Sequence, residues 1–181
     1  MRYLIFLSAL ALFSLSSASA EEKTWFKGNT HTHSLWSDGN DFPDMIADWY
    51  KSRGYHFLVL SDHNTLSRGE RWMRVADIER RKRGLGPTAL GKYTKRFGAD
   101  WVELRKGAKG EEVRLKTLEE VRDQLEEEGK FLMIEGEEIT DKFGKLQVHT
   151  NAINLAEPIK AQHGKSLRET MRNNLIAVQE Q

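Results

Sequence analysis

Along the chain, short apolar runs of strand composition are separated by stretches whose apolar residues recur at helical spacing. That alternation predicts an α/β fold. Trp25 to His33 reads as a first strand. Phe42 to Arg53 reads as a helix opened by Asp41-Phe42-Pro43 and closed by Gly54. The run YHFLVLS, Tyr55 to Ser61, is almost continuously apolar, as in a strand buried on both faces of a parallel sheet. Lys130 to Thr140 (KFLMIEGEEIT) and Lys145 to Asn154 (KLQVHTNAIN) predict a third and a fourth strand. Between the second and third lies a charged stretch, residues 64–129, too long for a simple crossover and read as an insertion in one domain. Within it the pattern predicts helices over Arg68 to Arg83, Thr88 to Phe97 and Leu118 to Glu128, and a hairpin with arms Trp101 to Arg105 and Glu111 to Lys116. A last helix is expected over Ser166 to Gln181.

The first twenty residues stand outside this pattern. Arg2, an apolar run from Tyr3 to Leu15 and the small residues Ala18-Ser19-Ala20 have the layout of a secretory signal peptide cleaved after Ala20. The run is short for a bilayer span of about 20 apolar residues. The mature chain is therefore expected to be exported, to the periplasm or beyond the cell, with no stable membrane insertion. Its charge is balanced: the whole chain has 28 Lys and Arg against 27 Asp and Glu, and cleavage removes Arg2. Balance excludes a protein whose main partner is nucleic acid or an anionic surface, since both require a basic excess. With no cysteine in the chain, thiolate metal sites and Cys nucleophiles are excluded too.

Candidate chemistry gathers where apolar strands end. In a strand, His31 and His33 of His31-Thr32-His33 point to one face and can share a cation. Asp38 follows in a Ser-Asp-Gly turn that can swing a carboxylate back over the strand end. Asp62-His63 appears where YHFLVLS stops, Glu135 to Glu138 where FLMI stops, and His149 lies on the fourth strand. Parallel α/β folds place their sites at the carboxyl ends of strands. Charges entering an apolar strand end are costly unless paired or metal-bound. The nitrogen and oxygen donors suit Zn, Mn or Fe without ranking them. They exceed what one tetrahedral zinc needs, so two or three divalent ions are expected. Arg80-Arg81-Lys82-Arg83 reads as a solvated helix end.

Four stretches, NTHTHSLWSDG (Asn29 to Gly39), LSDHN (Leu60 to Asn64), GEEIT (Gly136 to Thr140) and VHTNAI (Val148 to Ile153), occur in the order of the polymerase and histidinol phosphatase (PHP) domain family. The chain resembles that family over nearly all of residues 21–181. The resemblance implies the N-terminal part of a distorted (β/α)7 TIM-like barrel, with a helical insertion after the second strand. It also implies a di- or trinuclear metal cluster and hydrolysis of phosphate esters by a metal-held hydroxide. By position, His31 and His33 resemble ligands of one ion, Glu138 the bridging carboxylate, His149 a ligand of a second ion, and Asp38 with His63 ligands of a third. Glu138, His31 and His33 would carry catalysis. Asp62 would orient a ligating imidazole. Apart from the resemblance, Arg68, just after the Asp62-His63 turn, reads first as a solvated residue at a helix start and second as a contact for a substrate phosphate. His56 and His163 match no motif and read as structural or surface residues.

The family completes its cluster with a later His and a near-terminal Asp-x-His. After His149 the only histidine is His163, and a barrel of this kind typically takes about 250 residues. The expectation is therefore an incomplete domain with weak metal retention and little turnover. An amidohydrolase, which also begins with His-x-His on a barrel strand, is the alternative enzyme. A metal-binding module without turnover is the alternative from another class. The expected partner is a small extracytoplasmic phosphate ester whose identity the sequence does not reveal.

Overall fold

The computed structural model describes residues 23–81 and 88–181. The expected signal peptide, and the end of the basic run at Arg80 to Arg83, fall outside the described residues. The fold is α/β, with two sheets and five helices among those residues. None of the helices is long and apolar enough to cross a membrane.

The main sheet has the order β1-β2-β6-β7: β1 (Gly28–Asn29), β2 (Phe57–His63), β6 (Leu132–Phe143) and β7 (Leu146–Ile153). β2 runs parallel to both β1 and β6, while β7 is antiparallel to β6. β2 is central and buried through five successive residues, as its unbroken apolar run predicts. One face of this sheet is covered. Leu58, Leu60 and Met133 pack with Ala47 of α1 (Pro43–Lys51) and with Leu118, Val121 and Leu125 of α4 (Leu118–Leu125). Farther along, Ile139 and Ala152 pack with Leu66, Leu155, Ile159 and the Ala177–Val178 side of α5 (Leu167–Gln179). α4 starts in a capping box: the Thr117 hydroxyl accepts from the Glu120 N–H while the Glu120 side chain accepts from the Thr117 N–H. Its packing on α1 and β6 makes it the crossover helix between the parallel strands β2 and β6.

The second sheet lies between β2 and α4. Its order is β3-β5-β4, all antiparallel, from β3 (Arg71–Arg74), β5 (Gly110–Leu115) and β4 (Leu104–Gly107). α2 (Val75–Arg81) and α3 (Ala89–Phe97) pack with it around Ile78, Tyr93, Val113 and Leu115. It is fastened to α1 by a buried polar contact: the Tyr93 hydroxyl donates to Asp44 Oδ2 at 2.6 Å and the Trp101 indole N–H to the same oxygen at 2.8 Å. Burial pushes the Asp44 carboxyl above its ordinary pKa, against the pull of those two donors.

Three expectations are corrected. The stretch from Arg68 is not one helix, because Arg71 to Arg74 pair with Glu112 to Leu115 as a strand before α2 begins. The first strand is confined to Gly28–Asn29, where the chain meets Phe57 and Leu58, so His31 and His33 lie beyond it in irregular chain. The fourth strand returns from β6 through a two-residue turn at Gly144-Lys145, Gly144 having φ +60°. His149 therefore stands mid-strand, opposite Thr140, rather than at the carboxyl end of a parallel strand.

Candidate metal centre

The register of the main sheet decides which side chains can meet. Ser61 pairs with Gly136 and His63 with Glu138, while Glu138 pairs with Asn151 and Thr140 with His149. Side chains directly across a ladder share a face, so His63, Glu138 and His149 emerge on the side opposite the helices. His31 and His33, just past the carboxyl end of β1, complete the group. Their rings meet edge to face with centroids 4.7 Å apart, and the His33 and His63 centroids are 4.4 Å apart.

Glu138 is the centre of this arrangement. Only 8 % of it is exposed. Its Oε2 lies 3.0 Å from His33 Nε2 and 2.9 Å from His63 Nδ1, and its Oε1 lies 3.1 Å from His149 Nδ1 and 3.8 Å from His31 Nε2. One carboxylate thus faces four imidazoles, two on each oxygen. Asp38 closes the outer side, with Oδ1 2.8 Å from His33 Nδ1 and Oδ2 3.6 Å from His63 Nε2. Burial raises its carboxyl, but the bond to His33 and the charges of His33 and His63 outweigh that and hold it below the usual carboxylate range.

Three overlapping triplets have donor atoms close enough to hold a cation: His31, His33 and Glu138; His33, Asp38 and His63; and His63, Glu138 and His149. A cation fits them. His33 Nε2 and Glu138 Oε2 are buried and face each other, yet neither makes a hydrogen bond among the described residues. Buried polar atoms left unpaired are costly, and a shared cation satisfies both at once.

Residues behind the donors fix their orientation. The Ser61 hydroxyl lies 3.1 Å from His31 Nδ1 and accepts the Thr32 N–H at 3.1 Å. The Thr140 hydroxyl sits 2.5 Å from His63 Nδ1, and Gln147 Oε1 3.1 Å from His149 Nε2. Asn64, in the left-handed region at φ 50°, accepts the Thr140 N–H through Oδ1, while its own N–H donates to the Glu138 carbonyl. These helpers went unread because Ser, Thr, Asn and Gln are common everywhere. Only their places beside Asp62-His63, within GEEIT and next to VHTNAI mark them.

Two expected roles are corrected. Asp62, 1 % exposed, touches no imidazole. It lies on the helix side of β2 and accepts from the Ser34 N–H at 2.8 Å, the Ser34 hydroxyl at 2.7 Å and the Ser37 hydroxyl at 2.5 Å. It therefore holds the turn connecting His33 to Asp38 rather than a ring. Arg68 is committed elsewhere: its guanidinium makes a bidentate pair with Glu135 and donates to the Ala156 carbonyl at 2.7 Å. Glu135 is an odd position on β6, on the face opposite Glu138. His56 accepts the Lys27 N–H through Nδ1, and His163 pairs with Asp141 at 2.6 Å; both are away from the cluster, as the sequence suggested.

A cavity of about 940 Å³ lies at the amino ends of β2 and β6, lined by Phe26, Phe57, Leu132 and Ile134 among others, and holds none of the six candidate ligands. The site is defined by donor geometry, not by that cavity. Compared with family models, with curated proteins and with solved structures, the chain matches none of them.

Proposed function

We propose that this chain is a metal-dependent hydrolase of phosphate esters of the PHP type. Its two or three divalent ions, Zn, Mn or Fe, would be held by His31, His33, Asp38, His63, Glu138 and His149. In the same reading β1, β2 and β6 are early strands of a distorted (β/α)7 barrel, and residues 1–20 direct export toward an extracytoplasmic phosphate ester. The observation that carries the reading is the division of Glu138, with His31 and His149 on one oxygen and His33 and His63 on the other. A carboxylate so placed suits a bridge between two ions. The order of the motifs and the all-nitrogen-and-oxygen donor set supply the rest of the support.

Divalent cations held there would lower the pKa of a bound water toward neutrality and would offset charge developing on phosphoryl oxygens. The chain's own part is positional. Gln147 Oε1 accepts from His149 Nε2–H and leaves Nδ1, which faces Glu138, free, while the Ser61 and Thr140 hydroxyls lie against Nδ1 of His31 and of His63 and hold those rings in place. Asp62 holds Ser34 and Ser37, which fixes the separation of His33 and Asp38. Among the described residues no helix packs on the ligand-bearing face of the main sheet, which leaves a phosphate ester room to approach.

Protein loaded with Mn or Zn is expected to release phosphate from an aryl phosphate, slowly but in a chelator-sensitive way, with His31→Ala and Glu138→Ala each losing at least about a hundredfold. Full activity in both variants, or indifference to chelator, contradicts the assignment. Bound metal without any turnover would favour the binding-module reading.

A further inference from the structure

The turn that links two candidate ligands is gripped from outside by the inserted segment. Arg81, the last residue of α2, donates from Nη1 to the carbonyls of Ser37 and Gly39, each at 2.9 Å. Those are the two carbonyls flanking Asp38. The Asp38 side chain is 67 % exposed, and its described contacts are the His33 and His63 imidazoles. The inner side of the same turn is already pinned. Asp62 holds Ser34 and Ser37, and the Gly39 N–H donates to the Ser34 carbonyl at 2.9 Å. Gly39 packs so closely that a Cβ there would lie 2.6 Å from the His33 carbonyl. Burial against β2 therefore fixes the inner half, while the outer half, which carries Asp38, depends on a guanidinium from α2.

We infer that Arg81 is a positioning residue that acts through Ser37 and Gly39 to hold Asp38 in the cation group it forms with His33 and His63. This rests on the proposed metal centre and extends it, because it ties one ion of the cluster to the inserted segment. A turn held in place before binding loses its backbone freedom on folding rather than at each binding event. Bonds from a charged donor to carbonyls are among the stronger ones available for this. Arg80, one residue earlier, is spent on Asp77 instead, which makes it the matched control.

The test is titration of the protein with Mn(II), following free ion by paramagnetic resonance. Arg81→Gln should weaken one class of bound ion by about tenfold or more, the range seen when a partner behind a ligand is lost, and leave the other class or classes unchanged. Arg80→Gln should titrate as wild type. Arg81→Lys, which keeps the charge but loses the rigid planar guanidinium that aims both N–H groups, should fall between wild type and Arg81→Gln. If Arg81→Gln does not fold, Arg81→Lys carries the test and must still weaken that class. Asp38→Asn should remove the same class, with the Arg81→Gln and Asp38→Asn double variant no worse than Asp38→Asn alone. Unchanged or tighter binding in Arg81→Gln overturns the inference while leaving the metal centre intact, provided His33→Ala loses ions. If wild type binds no Mn(II) and His33→Ala titrates identically, the metal centre itself fails.

Discussion

Glu137 and Glu138 are neighbours on β6 with opposite fates, and they mark the difference between the two faces of the main sheet. Glu137 points into the helix-covered side and is fully buried, with Oε2 accepting the Ile159 N–H at 2.8 Å and Oε1 unpaired among the described residues. Burial raises its carboxyl pKa, the Ile159 N–H opposing. Glu138 points the other way, into four imidazoles. The covered face is dominated by aliphatic packing, from Leu58 and Leu60 through Met133 to Ile139. The open face carries the donors at one end and leaves Leu132 and Ile153 substantially exposed. A single step in a strand thus separates a carboxylate buried against the helix side from one set among four imidazoles.

That contrast can be broken most sharply at Glu138. Glu138→Ala should cost more than about a hundredfold in cation affinity, beyond what losing a partner behind a ligand usually costs, with little loss of stability in the metal-free protein by urea unfolding. Asp62→Ala comes next and should affect both faces. It leaves the Ser34 N–H unpaired and frees the turn, lowering stability by about 3 kcal/mol and weakening cation binding as well. Glu137→Ala should show the reverse of Glu138→Ala: about 2 kcal/mol less stable, from an unpaired Ile159 N–H and a small cavity, with its metal content unchanged.

Two pH measurements sharpen the picture at smaller amplitude. A carboxyl whose pKa is raised in the folded state, as burial does for Glu137, stabilises the fold while protonated. That contribution is lost as pH rises from the ordinary carboxyl range through the raised value. Urea unfolding across that window should therefore show wild type losing ground to Glu137→Gln, and a constant difference would contradict it. In the second sheet the sign is opposite. Hydrogen bonds from Arg114 and Lys116 hold Glu103 at about 2, below its ordinary 4.5. Its contribution is present above the ordinary value and fades as pH falls toward 2. Because Glu103 is nearly half exposed, Glu103→Gln should cost no more than about 1 kcal/mol at neutral pH after screening, and the difference should vanish in acid.

What the sequence made legible follows the same division. β2 was readable because both its faces are buried, which leaves an unbroken apolar run and a sharp change at Asp62-His63. The convergence of His31 and His33 was anticipated although the strand meant to produce it ends at Asn29. Partners distant in sequence were not legible. Arg71 to Arg74 reads as helix locally and is a strand only because β5 lies beside it, about forty residues on. The direction of β7 depends on a two-residue turn at Gly144-Lys145 whose signal is a lone glycine. The partners of Asp62 were not legible either, since nothing in the chain order says that Ser34 and Ser37 fold beneath it.

The most direct test of the central claim is a count of divalent ions per chain after equilibrium dialysis against Mn or Zn, made on wild type and on Glu138→Ala side by side. The account predicts two or three ions in wild type and loss of at least two binding positions when the shared carboxylate is removed. Wild type without bound ions, or Glu138→Ala with an undiminished count, would contradict it.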